Sequence, residues 1–178
     1  MRSGETLERG RFRGLLLGLA VADSSEDGRW GANTSLALCL AESLLACRGL
    51  AIEDLMDRYL RWYRRGYWSS KGYCFGISDE VRARLEQFEA NREVSTMPGV
   101  DRWIGPLVMF YARDRGAAMG AAGQLGASAD EIARLLALLY DANGVGVRGI
   151  PEEARGRCYR AAEIVGLADQ LYELAIAP

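Results

Sequence analysis

The sequence predicts an all-α protein. Apolar residues recur at helical spacing in successive segments, no stretch sustains the alternation of a half-buried strand, and N-cap, glycine and proline signals separate the segments. The expected architecture is a compact multi-helix bundle, one domain over residues 1–178.

The first helix is expected from about residue 7 to residue 22, where Leu15, Leu16, Leu19 and Ala22 form an apolar stripe. Gly10, Gly14 and Gly18 recur every fourth residue on it. Glycine in a helix costs about 1 kcal/mol relative to alanine, so close approach of a neighbouring helix is the expected compensation. A second helix is expected to start at Asn33 or Thr34, either a suitable N-cap, and to run through Leu36, Leu38, Leu40, Leu44 and Leu45 to Arg48, with Gly49 as its stop. The third, residues 52–65, carries Leu55, Met56, Tyr59, Leu60, Trp62 and Tyr63 as core and ends at Gly66.

Residues 67–76 are dense in glycine, serine and aromatics; such a loop serves as a rigid surface or as a pocket wall. Ser78 opens a fourth helix over residues 79–90, with Val81, Leu85 and Phe88 inward, and residues 91–99 form a loop turned by Pro98-Gly99. Helices follow near residues 102–112, 117–124 and 129–142, the last opened by a capping box from Ser128 to Glu131. Residues 143–149 are a glycine-rich loop, Pro151 suits a first helical turn, and residues 159–175 close the bundle as an amphipathic helix.

Composition excludes several functions. The 22 basic and 24 acidic side chains nearly cancel without long runs of one sign, so nucleic acid is not an expected partner. The opening residues 2–13 are charged and polar, and the apolar run of residues 15–22 is too short to span a bilayer, which points to a cytoplasmic protein with no membrane partner. Cys39, Cys47, Cys74 and Cys158 form no C-x-x-C pair and are expected as free, mostly buried thiols. Histidine is absent, which removes Ser-His-Asp and Cys-His nucleophiles, His-ligated zinc and imidazole bases. Catalysis would have to run on carboxylates, Tyr, Lys or an oxygen-ligated metal.

Several stretches carry a family resemblance. Arg11-Phe12-Arg13-Gly14-Leu15-Leu16-Leu17-Gly18-Leu19-Ala20-Val21-Ala22-Asp23 is similar to R-F-R-G-x-L-L-G-L-A-V-G-D of the DraG-type ADP-ribosylglycohydrolases. Residues 37–45 and 57–70 extend the likeness, the latter with Trp62-Tyr63-Arg64-Arg65-Gly66-Tyr67-Trp68-Ser69, and Gly149-Ile150-Pro151 and residues 168–174 resemble the closing turn and helix. The resemblance implies an all-α fold that removes ADP-ribose from modified side chains with two magnesium or manganese ions. It also implies a truncated chain, since family members are usually longer.

The resemblance further implies that the metal ligands have changed. Where the family carries W-T-D-D-T-S, whose first Thr and two Asp hold the metal pair, this chain reads Trp30-Gly31-Ala32-Asn33-Thr34-Ser35. A hydroxyl and two carboxylates have become a hydrogen, a methyl and a neutral amide, and hard dications need anionic oxygens. The family's second metal motif aligns with Met119-Gly120-Ala121-Ala122-Gly123-Gln124-Leu125, leaving Asp114 as its one acid. In the alternative, favoured alignment, Phe110-Tyr111-Ala112-Arg113-Asp114 matches a mid-chain segment and the second motif is deleted. The substrate loop survives in part as Gly72-Tyr73-Cys74-Phe75-Gly76.

Asp23, Asn33, Thr34, Cys74, Phe75 and Asp114 are therefore the candidate remnant of a ligand site, with no catalytic residue, no metal ligand and no cofactor expected. Framework helices are kept while functional loops are eroded. The expectation is a catalytically degenerate member that serves as a structural or protein-interaction module, through a protein partner or self-association. The alternative is a reduced ADP-ribosyl hydrolase or ADP-ribose-binding protein, with Asp23, Asp27, Asp79 and Asp114 as its nearest carboxylates.

Overall fold

The computed structural model describes residues 7–141 and 143–177. The charged opening before Leu7, the expected helix end at Ala142 and the terminal Pro178 lie outside the described residues. Among the described residues the chain is all helical: α1 (Arg9–Ala22), α2 (Ala32–Cys47), α3 (Ile52–Arg65), α4 (Asp79–Asn91), α5 (Gly105–Phe110), α6 (Arg115–Leu125), α7 (Ala129–Tyr140), α8 (Glu152–Arg157) and α9 (Ala161–Ile176). Two 3-10 turns, Val100–Arg102 and Gly146–Gly149, interrupt the connections. A lone antiparallel bridge between Ser24 and Trp30 is the only β pairing among the described residues.

Helix α2 is the axis of the bundle. Its leucines at positions 36, 38, 40 and 44 do not share one face, and the structure shows why: α2 packs on α3, α5 and α9, so that Thr34 through Ala41, Ser43 and Leu44 are all buried. A helix apolar on every side is one enclosed on every side. By contrast α3 is amphipathic, burying Leu55, Met56, Tyr59 and Trp62. Its N-terminus carries Glu53 and Asp54 and its C-terminus Arg64 and Arg65, the charge order that the helix dipole favours.

Several expected boundaries shift for physical reasons. Neither Asn33 nor Thr34 is the N-cap of α2; Gly31 takes that place, and α2 ends at Cys47, with Arg48 rather than Gly49 as its left-handed C-cap (φ 57°). The single helix expected near residues 102–112 is a 3-10 turn followed by α5, with Pro106 in the first turn of α5, where a missing N–H does no harm. Helix α6 starts earlier than expected because Asp114 caps it. The closing helix begins at Ala161, and the helical turn expected at Pro151 opens a separate short helix, α8; left-handed Arg160 (φ 51°) stands between them.

The glycines of α1 do different work from that expected. A Cβ on Gly14 would lie 2.6 Å from the backbone of Gly146, so the close neighbour is a 3-10 turn and not a helix. Gly18 faces the Ile150 side chain at ordinary contact distance and Gly10 has open space. On its other side α1 is clipped to α9 by Arg13, whose guanidinium donates to both Asp169 carboxylate oxygens at 2.7 Å. All four cysteines are free; Cys39 and Cys158 are buried, Cys74 is half-buried and Cys47 is exposed.

Candidate functional site at the start of the second helix

The first turn of α2 is organised by one carboxylate from the end of α1. Asp23 Oδ2 accepts from the Gly31 N–H at 3.0 Å, the Thr34 N–H at 2.9 Å and the Thr34 hydroxyl at 2.9 Å. Asp23 Oδ1 faces the Asn33 amide nitrogen at 3.4 Å. Asp23 therefore does the work of a capping side chain from eight residues upstream of the N-cap, satisfying donors that a helix start leaves unpaired. The intervening loop holds it there: Ser25 exchanges backbone bonds with Arg29 and Gly28, and Asp27 accepts from the Ser25 hydroxyl and the Arg29 N–H. Those bonds hold the Asp27 carboxyl below its usual range.

Trp30 anchors the same turn from beneath. It is fully buried, its Nε1–H donates to the Trp68 carbonyl at 3.2 Å, and its own carbonyl accepts from the Ser70 hydroxyl at 2.7 Å. Arg29 lies over the Tyr159 ring at 4.3 Å and donates to the Ser70 carbonyl. The loop of residues 67–76 is thereby tied to the turn that precedes α2. Trp68 adopts a positive φ of 56°, an uncommon conformation for a bulky residue, with the Arg160 guanidinium 4.2 Å over its ring.

Beside the start of α2 lies a small cavity of about 50 Å³, lined by Ala32, Asn33 and Leu36 of α2, Trp62 of α3, residues 76–78, Val81, Pro98, Arg102 and Trp103. The structure thus brings Asp23, Asn33 and Thr34 together. Cys74 and Phe75 do not line this cavity: both are half-buried, Lys71 lies over the Phe75 ring at 4.5 Å, and Cys74 borders a separate cavity with Tyr63, Gly66 and Arg82. Burial pushes the Cys74 thiol up to about 11, which makes it a poor nucleophile near neutral pH.

Asp114 does not join them. Its Oδ1 accepts from the Ala117 N–H at 2.9 Å and caps α6. Asp79 is exposed and pairs with Arg82. Sequence reasoning assigned Trp62 to the core and gave Arg102 no role, yet both line the cavity. Helical spacing shows that Trp62 points inward but not what its indole N–H meets.

The residues present do not fit a pair of hard dications. Gly31 and Ala32 bring no side-chain oxygen, Asn33 is neutral, and both Asp23 oxygens face hydrogen-bond donors. Among the described residues no group of three or more Asp, Glu, Cys or His side chains converges on one point.

An all-α hydrolase fold, with its central helix opening beside a small cavity, is the class that this architecture defines. Residues 4–142 match the family model for ADP-ribosylglycohydrolase, and the chain belongs to that family. It is 44% identical over 63 residues to the ADP-ribosylarginine hydrolase Tri1 of Serratia proteamaculans (strain 568), a match covering 35% of this chain and 17% of that protein. It is 30% identical over 101 residues to the ADP-ribosylarginine hydrolase Tri1 of Pseudomonas putida (strain GB-1), covering 43% of this chain and 27% of that protein. The chain therefore spans only a minor part of either hydrolase. A solved chain described as an ADP-ribosylglycohydrolase-related protein complex superimposes with a TM-score of 0.63 at 21% identity, covering 95% of this chain and 99% of that one. That likeness concerns the fold.

Proposed function

We propose that this chain is a family member without glycohydrolase activity, acting as a helical scaffold that binds a protein partner or a second copy of itself. One observation carries the reading: the Asp23 carboxylate is engaged by the first turn of α2, beside positions where Gly31 stands in place of a hydroxyl and Ala32 and Asn33 in place of two carboxylates. Bringing two dications a few ångströms apart requires a cluster of negative charge, and this turn presents one carboxylate already bonded to donors. The framework that would carry a binding surface is kept, with α2 enclosed by α3, α5 and α9. Free thiols at all four cysteines agree with a reducing cytoplasm. Calorimetry with Mg²⁺ or Mn²⁺ is expected to show no binding at millimolar metal; micromolar affinity would overturn the reading.

The 44% identical stretch shared with an ADP-ribosylarginine hydrolase favours a second reading, a reduced hydrolase or an ADP-ribose binder. Release of ADP-ribose from modified arginine, abolished by a chelator, would establish it in place of the first.

A further inference from the structure

The cavity at the start of α2 has the chemistry of an anion site. Residues that line it carry four kinds of donor. The Ala32 and Asn33 N–H groups belong to the first turn of a 16-residue helix and have no acceptor among the described residues. The Trp62 indole N–H is buried, in a side chain 0% exposed, and also lacks a partner. Arg102, an exposed side chain, lines the cavity and forms no ion pair among the described residues. The Ser78 hydroxyl oxygen accepts from the Val81 N–H, which leaves its O–H free to donate.

No Asp or Glu lines the cavity. The nearest acids are engaged elsewhere: Asp23 with the Gly31 and Thr34 N–H groups, Asp79 with Arg82, and Asp101 with the Ser128 N–H. A helix N-terminus favours negative charge, and a buried indole N–H requires an acceptor. A volume of about 50 Å³ exceeds what one water needs and suits a group of three or four heavy atoms.

We propose that this cavity binds a carboxylate-sized oxyanion, on the free N–H groups of α2, the Trp62 indole N–H and the Arg102 guanidinium. The inference rests on the loss of metal ligands argued above and inverts the charge preference of that position. A free small acid and the side chain of a partner's Asp or Glu share this chemistry.

The test follows the indole N–H resonance of Trp62 in the full chain by NMR, assigned through its bonded backbone so that no buried variant is needed. Titrations use acetate, and separately a short uncharged-ended peptide holding one Glu, in chelator at constant ionic strength. A saturable shift of this resonance is expected, with the dissociation constant raised about tenfold or more by Arg102→Gln and binding lost in Asn33→Asp. Tighter binding of the peptide would identify a partner's side chain as the occupant; equal binding would identify a free acid. No saturable shift, a shift reproduced by chloride, or one unchanged by Arg102→Gln overturns the proposal. Metal calorimetry tests the absence of a dication site independently, so the two ideas can fail separately.

Discussion

Asp23 and Thr34, eleven positions apart, are joined twice: one carboxylate oxygen accepts from both the backbone N–H and the hydroxyl of Thr34 at 2.9 Å. This relationship sets the direction in which α2 leaves α1 and explains why the helix can begin at Ala32 without a capping side chain at Gly31.

Removing that carboxylate should therefore be felt as the loss of a helix cap. Asp23→Ala is expected to lower stability by about 1–2 kcal/mol, or roughly 2–8 °C in melting temperature for a chain of this size. Urea denaturation measures it. A variant indistinguishable from the parent would show that the cap is not what holds the turn.

The glycines of α1 should separate by position. Gly14→Ala places a methyl 2.6 Å from the Gly146 backbone, which cannot swing aside, and is expected to destabilise by about 1–3 kcal/mol. Gly18→Ala meets only the end of Ile150 at 3.7 Å and should stabilise by roughly 0.5–1 kcal/mol through helix propensity. Opposite signs in paired denaturation curves are the expected result.

Acid should loosen the contact between α1 and α9. The Arg13 guanidinium holds the Asp169 carboxyl below its usual range. A depressed carboxyl contributes stability above its unfolded pKa, near ~4, and loses it as pH falls through the folded value. Because the pair is part-exposed, Arg13→Gln should cost less than about 1 kcal/mol at neutral pH. The gap between parent and variant should close below pH ~4, as thermal melts across pH would record.

Thiol reagents should distinguish the cysteines. Cys47 is exposed and Cys39 and Cys158 are buried, so labelling of the native protein followed by mass mapping should find Cys47 modified first. Partial desolvation and the neighbouring Asp54 raise the Cys47 thiol above its usual value, so its labelling should accelerate as pH rises above neutrality. Prompt labelling of Cys39 would show that α2 opens readily.

Helix existence was legible because a helix buries residues at fixed spacing. Residues 52–65 match α3 end to end, and the Ser78 and Ser128 caps accept from Val81 and Glu131 as their spacing predicts. Boundaries set by distant contacts were not legible. The cap of α2 comes from Asp23, and nothing local at Gly31 announces it. The separate α8 depends on docking of the segment that follows it, where the Tyr159 N–H donates to the Gly28 carbonyl at 3.0 Å.

The candidate site divides in the same way. Asp23, Asn33 and Thr34 were picked out by resemblance and do meet, whereas Asp114 caps a different helix. Trp62 and Arg102 carried no mark of a cavity, because the spacing that puts a tryptophan in a core is silent about its indole N–H.

Residue order alone determined the helical class, the kinship with the ADP-ribosylglycohydrolases and the neutral side chains at Gly31, Ala32 and Asn33, since periodicity and side-chain chemistry are local properties. Only the folded chain decided that Asp23 faces donors and that Trp62 and Arg102 border one cavity with the α2 N-terminus. Hydrogen bonds and charge act through space, and the bonds from Asp23 to the start of α2, and the cavity shared by α2, α3 and Arg102, exist only once the bundle has closed.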